Sequence, residues 1–188
     1  MGTIWQHRSS LCLHPAGGDG IARAIDVDVR VSGAILALTY TILATKGALR
    51  IPAAAEAVRT DGLWQTSCCE LFLKAGGPDY FEFNLSPSSQ WAAYHFADYR
   101  EDMAEAYLNA PPAISCPQGP EAAVLSAQID LTFLPSDFAA ADWRLGLSCV
   151  IEGADGAKAY WALNHPPEKP DFHHEDCFAL TVRAAERL

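Results

Sequence analysis

Aromatic rings recur in this sequence beside amides, carboxylates and arginine, a mixture suited to holding a small polyhydroxylated ligand. Trp64 lies in Asp61-Gly62-Leu63-Trp64-Gln65. Glu82 and Asn84 alternate with apolar residues in Tyr80-Phe81-Glu82-Phe83-Asn84-Leu85. Trp91 follows Gln90, and Arg100 lies just beyond. Trp161 precedes Asn164 and His165 in Tyr160-Trp161-Ala162-Leu163-Asn164-His165. A pyranose ring offers an apolar C–H face to an aromatic ring and a hydroxyl edge to directional partners. The expected platforms are Trp91 and Trp161, with Trp64 a further candidate that also fits packing. Glu82, Asn84, Arg100, Asn164 and His165 are the expected hydrogen-bonding partners. Trp5 and Trp143 read as structural aromatics. Glu70 reads either as a solvated strand position or as an acceptor in the groove.

A second cluster falls within residues 165–177, where His165, Asp171, His173, His174, Asp176 and Cys177 crowd together. Imidazole and thiolate suit zinc, and carboxylate oxygens suit calcium. The metal candidates are His173, His174 and Asp176. Their spacing matches no zinc signature, and consecutive side chains on extended backbone point apart. A hydrogen-bonded structural loop is therefore the alternative. Haem would need axial His, Met or Cys. Met103 with His173 or His165 is the combination considered, since Met1 is the other of the two methionines. There is no CxxCH for covalent attachment.

Catalytic signatures are absent from the sequence: no GxSxG, no P-loop and no GxGxxG after a strand. A carboxylate pair such as Glu82 and Asp130 could act on a glycoside only at a separation of roughly 5–9 Å. The residues point to binding rather than catalysis.

The elements that must position these groups are strands, because the dominant period is two. Ile25, Val27, Val29 and Val31 alternate with Asp26, Asp28 and Arg30. Residues 35–43, 67–74, 79–85, 90–96, 125–133, 144–152, 158–163 and 177–182 read likewise. A hairpin is expected across Ala75-Gly76-Gly77-Pro78. Short helical turns are expected at 53–58 and 101–108. About nine or ten such strands separated by turns predict an all-β antiparallel sandwich, jelly-roll-like, with few helical turns.

The 188 residues correspond to about one domain. Thirteen Lys and Arg against 23 Asp and Glu give a net charge of −10, which argues against nucleic acid or an anionic membrane as partner. No run approaches the ~20 apolar residues of a spanning helix. The start, Met1-Gly2-Thr3-Ile4-Trp5-Gln6-His7-Arg8, lacks a basic segment followed by an apolar one. The six cysteines form no CxxC, so a cytoplasmic protein with reduced thiols is expected.

Taken together, Asp61-Gly62-Leu63-Trp64-Gln65, Cys69-Glu70-Leu71-Phe72-Leu73, the 80–87 and 90–94 stretches and the two C-terminal stretches at 160–166 and 170–178 resemble the DOMON-like proteins related to the family 9 carbohydrate-binding modules. The resemblance spans residues 11–180. One departure is Cys69, where an aromatic residue is usual before Glu-Leu-Phe. The resemblance implies a β-sandwich with a ligand groove, and a carbohydrate or haem as ligand class; calcium is suggested by the carboxylates alone. The reading is a non-catalytic protein binding a small carbohydrate. The alternatives are a metal- or haem-binding module using residues 165–177, and a protein-interaction module whose hint is the Pro-rich loops.

Overall fold

The computed structural model describes residues 4–18 and 20–187. Met1, named above for the leader and haem readings, lies outside them, as do Gly2 and Thr3. Two antiparallel sheets stack face to face, forming the expected β-sandwich. The smaller sheet runs β1 (Ile4–Ser10), β3 (Ala22–Ser32), β4 (Ile35–Ala44), β10 (Ala122–Asp130), β9 (Ala113–Ser115). The larger runs β2 (Cys12–Leu13), β12 (Lys158–Ala162), β11 (Trp143–Glu152), β5 (Cys68–Lys74), β6 (Tyr80–Leu85), β7 (Trp91–Phe96), β8 (Ala104–Glu105). A further strand, β13 (Leu180–Val182), pairs with the start of β11.

Alternation decides which residues meet between the sheets. Val27, Val29, Val31, Leu36, Leu38 and Tyr40 from the smaller sheet pack on Leu71, Leu73, Phe83, Leu145 and Leu147 from the larger. Burying each such side chain stabilises by about 1.5–3 kcal/mol, so this layer dominates the fold. The β3–β4 hairpin closes through two residues, with Gly33 at φ 57°, a conformation that glycine adopts without steric cost.

Several elements differ from expectation. Residues 53–58 form no helix, and 101–108 hold the short strand β8 instead. Both segments are laid along strand β7: Arg59 bridges Trp91, and Glu105 pairs with Tyr94. Among the described residues there is one α-helix, α1 (Ser136–Ala140), where the sequence predicts none; it buries Phe138 and receives the Trp143 indole N–H on the Phe138 carbonyl. The expected strand over 177–182 shrinks to β13, because Glu175–Cys177 makes a 3-10 turn. The edge strand β1 and the short edge strands β2, β8 and β9 bring the described strands to thirteen.

The larger sheet is covered on both faces. Every residue of β6 is buried, and so are six of the seven in β5. Its outer face carries a second apolar cluster of Leu63, Phe72, Tyr80, Tyr94, Phe96, Phe172 and Phe178. Loops around residues 61–66 and 165–178 therefore fold over that face. Gly146 permits this: a β-carbon there would sit 3.2 Å from the Phe72 β-carbon and 3.3 Å from the Cys177 carbonyl oxygen. No helix among the described residues is long and apolar enough to cross a membrane.

Candidate functional site

Where the covering loops part, the outer face of the larger sheet opens into a groove of about 630 Å³. Strand register builds its floor. Glu70 stands opposite Ser148 on one side and Asn84 on the other, while Phe72 is flanked by Gly146 and Glu82, and Glu82 by Tyr94. Val150, also on β11, joins Glu70, Phe72, Glu82, Tyr94 and Phe96 in lining the groove. Trp64 and Gln65 form one wall, Lys158 and Tyr160 another, and Arg100, Met103 and residues 170–173 the rim.

Charge on the floor is held under unusual conditions. Glu70 and Glu82 are only 3% and 6% exposed. Glu70 Oε2 accepts from the Ser148 hydroxyl at 3.1 Å, and Glu82 Oε1 accepts from the Asn84 amide at 2.6 Å. Burial pushes both carboxyls upward; proximity to Glu82 lifts Glu70 further, while Asn84 and Arg100 partly restrain Glu82. The pair thus retains a proton into the neutral range. A carboxyl raised in the folded state stabilises below its unfolded pKa and loses that contribution as pH climbs through the folded value. Glu70→Gln is therefore expected to become increasingly stabilising between about pH 5 and pH 8. Thermal denaturation of both proteins across that range checks it, and a stability difference independent of pH would contradict it.

The rim is built on Asp171, which is 5% exposed. Its Oδ1 accepts from the Arg100 guanidinium at 2.7 Å and from the His173 backbone N–H at 3.2 Å, while Oδ2 accepts from the Tyr99 hydroxyl. Burial alone would raise this carboxyl, but the hydrogen bonds from Arg100 and Tyr99 outweigh it and hold it below the usual range. Arg100 adopts φ 56°, in the left-handed region. Strain of this kind, of order 1–3 kcal/mol, persists only where neighbours fix the backbone. Here the Arg100 N–H donates to the Tyr80 hydroxyl oxygen at 3.1 Å.

The same hydroxyl lies 2.8 Å from His173 Nδ1. In the tautomer with hydrogen on Nε2, the Tyr80 O–H donates to Nδ1 while its oxygen accepts from the Arg100 N–H. That Nε2 faces Glu82 Oε2 at 3.6 Å. Burial, followed by the charge of Arg100, lowers the His173 pKa to about 4.

The structure separates the residues expected from sequence. Glu82 and Arg100 come together at the groove, with Asn84 fully buried beneath Glu82. Trp161 does not reach it. Its partners across the sheet are Cys149 and Leu13, which share its face, and it is 6% exposed in the layer between the sheets. Trp91, opposite Leu85, packs against that same layer. Expecting these two rings as platforms is corrected on parity: their neighbours Tyr160 and Ala92 face outward. Asn164 and His165 do not join the groove either. The Asn164 amide donates to the Asp176 carbonyl at 3.3 Å, and His165 Nε2 donates to the Cys12 carbonyl at 2.9 Å. Both tie down the covering loop.

The metal candidates diverge. His173 turns into the groove, whereas His174 Nδ1 accepts from the Asp176 N–H at 3.3 Å and caps the following turn. Among the described residues, no three ligating side chains converge. Met103 and His173 both line the groove, but the two His173 nitrogens are turned to Tyr80 and Glu82. Sequence reasoning underrated Glu70 and Trp64 and missed Tyr160, Phe172 and the anchoring role of Asp171. For Tyr160 the signal was present, since it alternates with Trp161.

A second depression, about 420 Å³, lies on the outer face of the smaller sheet. Its charges pair with one another: Arg8 lies 3.1 Å from Asp26 and 3.8 Å from Asp28, and Arg30 donates to Gln6 at 3.5 Å. Among its described lining residues His7 is the one aromatic ring.

No protein-family model matches the sequence, and no curated protein sequence does either. Among solved structures, a Bacteroides uniformis protein provisionally assigned to carbohydrate binding is similar over 93% of this chain and 85% of its own. The TM-score is 0.61 and the identity 15%. A family 9 carbohydrate-binding module from Caldicellulosiruptor kristjanssonii, solved with cellotriose, aligns over 85% of this chain and 73% of its own. Its TM-score is 0.50 and its identity 9%. At these identities the likeness is one of fold: the chain shares the β-sandwich architecture of these two structures.

Proposed function

We propose that the protein is a DOMON-like, non-catalytic carbohydrate-binding protein whose ligand lies in the groove on the larger sheet. The observation that carries this reading is the juxtaposition of aromatic rings and buried polar groups around one cavity. Trp64, 43% exposed, and Tyr160 supply ring faces for pyranose C–H surfaces, and Phe172 lies 6.3 Å from the Tyr160 ring. Glu70, Glu82, Gln65 and Arg100 supply fixed acceptors and donors. Arg100 is pre-positioned by Asp171 and Tyr80, so ordering it on binding costs little entropy. The structural neighbour solved with cellotriose supports the ligand class. In a cytoplasm, the compartment expected from sequence, the ligand is a soluble mono- or oligosaccharide.

Tryptophan fluorescence titration against glucose, cello-oligosaccharides and a panel of other sugars tests the reading. A saturable change is expected for at least one sugar, abolished in Trp64→Ala and retained in Trp161→Phe. No saturable response across the panel would overturn it. So would a response that persists in Trp64→Ala and vanishes when Tyr107, exposed elsewhere on the surface, is replaced.

A further inference from the structure

The floor of the groove has a charge problem that a neutral sugar leaves unsolved. Glu70 and Glu82 stand on one face of adjacent strands in diagonal register, a geometry that brings β-carbons to about 7–8 Å or less. Both carboxyls are more than nine-tenths buried and both open into the same cavity. Glu70 has one oxygen on Ser148, and among the described residues nothing donates to the other. Neither glutamate has a lysine or arginine within ion-pair distance among the described residues. Arg100 is a cation whose charge acts on both, and its guanidinium is committed to Asp171 at 2.7 Å.

The other titratable groups facing the pair do not help. His173 is neutral at its working pH, Asp171 is already paired, and Tyr80, Tyr94 and Cys68 carry no positive charge. Lys158 lines the groove from β12 but forms no ion pair with either glutamate. A sugar hydroxyl can satisfy a lone pair here, yet it brings no charge to set against a second carboxylate, so the pair keeps its proton. An ammonium does more, because its three donors reach the free carboxyl oxygens and its one full charge offsets the carboxylate that forms when the retained proton leaves. A metal ion is the poorer occupant, since no three ligating groups converge among the described residues.

We infer that the ligand is an amino sugar, with its ammonium seated between Glu70 and Glu82 and its ring against Trp64 and Tyr160. This rests on the carbohydrate reading of the groove. Seating the ammonium favours the ionised form of both carboxyls, so the proton they retain passes to solvent as the ligand binds. Affinity therefore rises with pH through the carboxyl range until the ligand amine itself loses its proton.

Isothermal titration of the full chain with D-glucosamine, D-glucose and N-acetylglucosamine tests this, at about pH 6.5, where such amines are charged. Running it in two buffers of different ionisation enthalpy reads the proton release. Glucosamine is expected to bind at least about tenfold more tightly than the other two, with buffer-dependent heat. In the double exchange Glu70→Gln with Glu82→Gln, that ratio is expected to collapse toward one. Should the double variant not fold, Glu82→Gln alone is expected to reduce the ratio. Glucose or N-acetylglucosamine binding as tightly as glucosamine would overturn the amino-sugar inference and leave the groove reading standing. An amine preference that survives removal of both carboxylates would overturn it as well. No binding of any of the three would overturn this inference, and the sugar panel above then decides the groove reading separately.

Discussion

Replacing Trp161 by alanine is expected to destabilise the protein by about 3–5 kcal/mol, while Trp64→Ala leaves stability within about 0.5 kcal/mol. The two residues are both tryptophans near polar sequence, yet they live on opposite sides of the same sheet. Trp161 is packed among Leu13, Cys149 and the rest of the layer between the sheets. Its indole N–H is buried without a partner, so truncation forfeits packing and no hydrogen bond. The cost is the transfer energy of the ring plus the cavity it leaves. Trp64 sits on a 3-10 turn at 43% exposure and rims the groove, so its removal affects a ligand and not the core. Chemical denaturation of both variants checks this. Equal destabilisation of the two would contradict the assignment of faces.

Asp171→Ala is expected to cost about 1–3 kcal/mol and to weaken any groove ligand about tenfold or more. The carboxylate is the common acceptor for Arg100, Tyr99 and the His173 backbone. Removing it leaves Arg100 without the group that aims it, although that side chain is half exposed and can turn to water. The stability loss is therefore moderate and the binding loss larger. The sign with pH follows from the direction of the shift. A carboxyl held below its ordinary value stabilises above the unfolded pKa of about 4, and that contribution disappears as pH falls through the folded value. His173 acts at a higher range: its folded pKa of about 4 lies below the unfolded value, so stability declines as pH falls from about 6.5 toward 4. Asp171→Ala should flatten only the lower part of that acid limb. Denaturation curves from pH 3 to pH 7 separate the two, and unchanged acid behaviour in the variant would contradict the role given to Asp171.

Much of the fold is legible in the sequence because period-two alternation is strong where one face is wet. Strand β3, with Ile25, Val27, Val29 and Val31 inside and Asp26, Asp28 and Arg30 outside, is the clear case. The site is less legible because the larger sheet is buried on both faces, so polarity no longer marks the outward side. Glu82 and Asn84 still stand out as polar residues among phenylalanines, and Arg100 follows closely. Composition favours Trp91 and Trp161 as platforms, but alternation at one residue's spacing sends their rings inward and Tyr160 outward. Nothing local announces that Asp171 reaches back 71 residues to Arg100, nor that Arg100 takes a left-handed backbone conformation. Those are tertiary facts. Short edge strands such as β2 and β8 are set by pairing partners rather than by their own residues, and they were missed for that reason.

A sugar is expected to bind on the outer face of the larger sheet. Amide chemical-shift mapping on the isotopically labelled full chain, titrated with the sugar that gives the strongest fluorescence change, tests it most directly. The perturbations are expected to cluster at Trp64, Gln65, Glu70, Glu82, Arg100 and His173, the residues that frame the 630 Å³ groove. Perturbations centred instead on Gln6, Arg8, Arg30 and Thr39, around the depression of the smaller sheet, would contradict it.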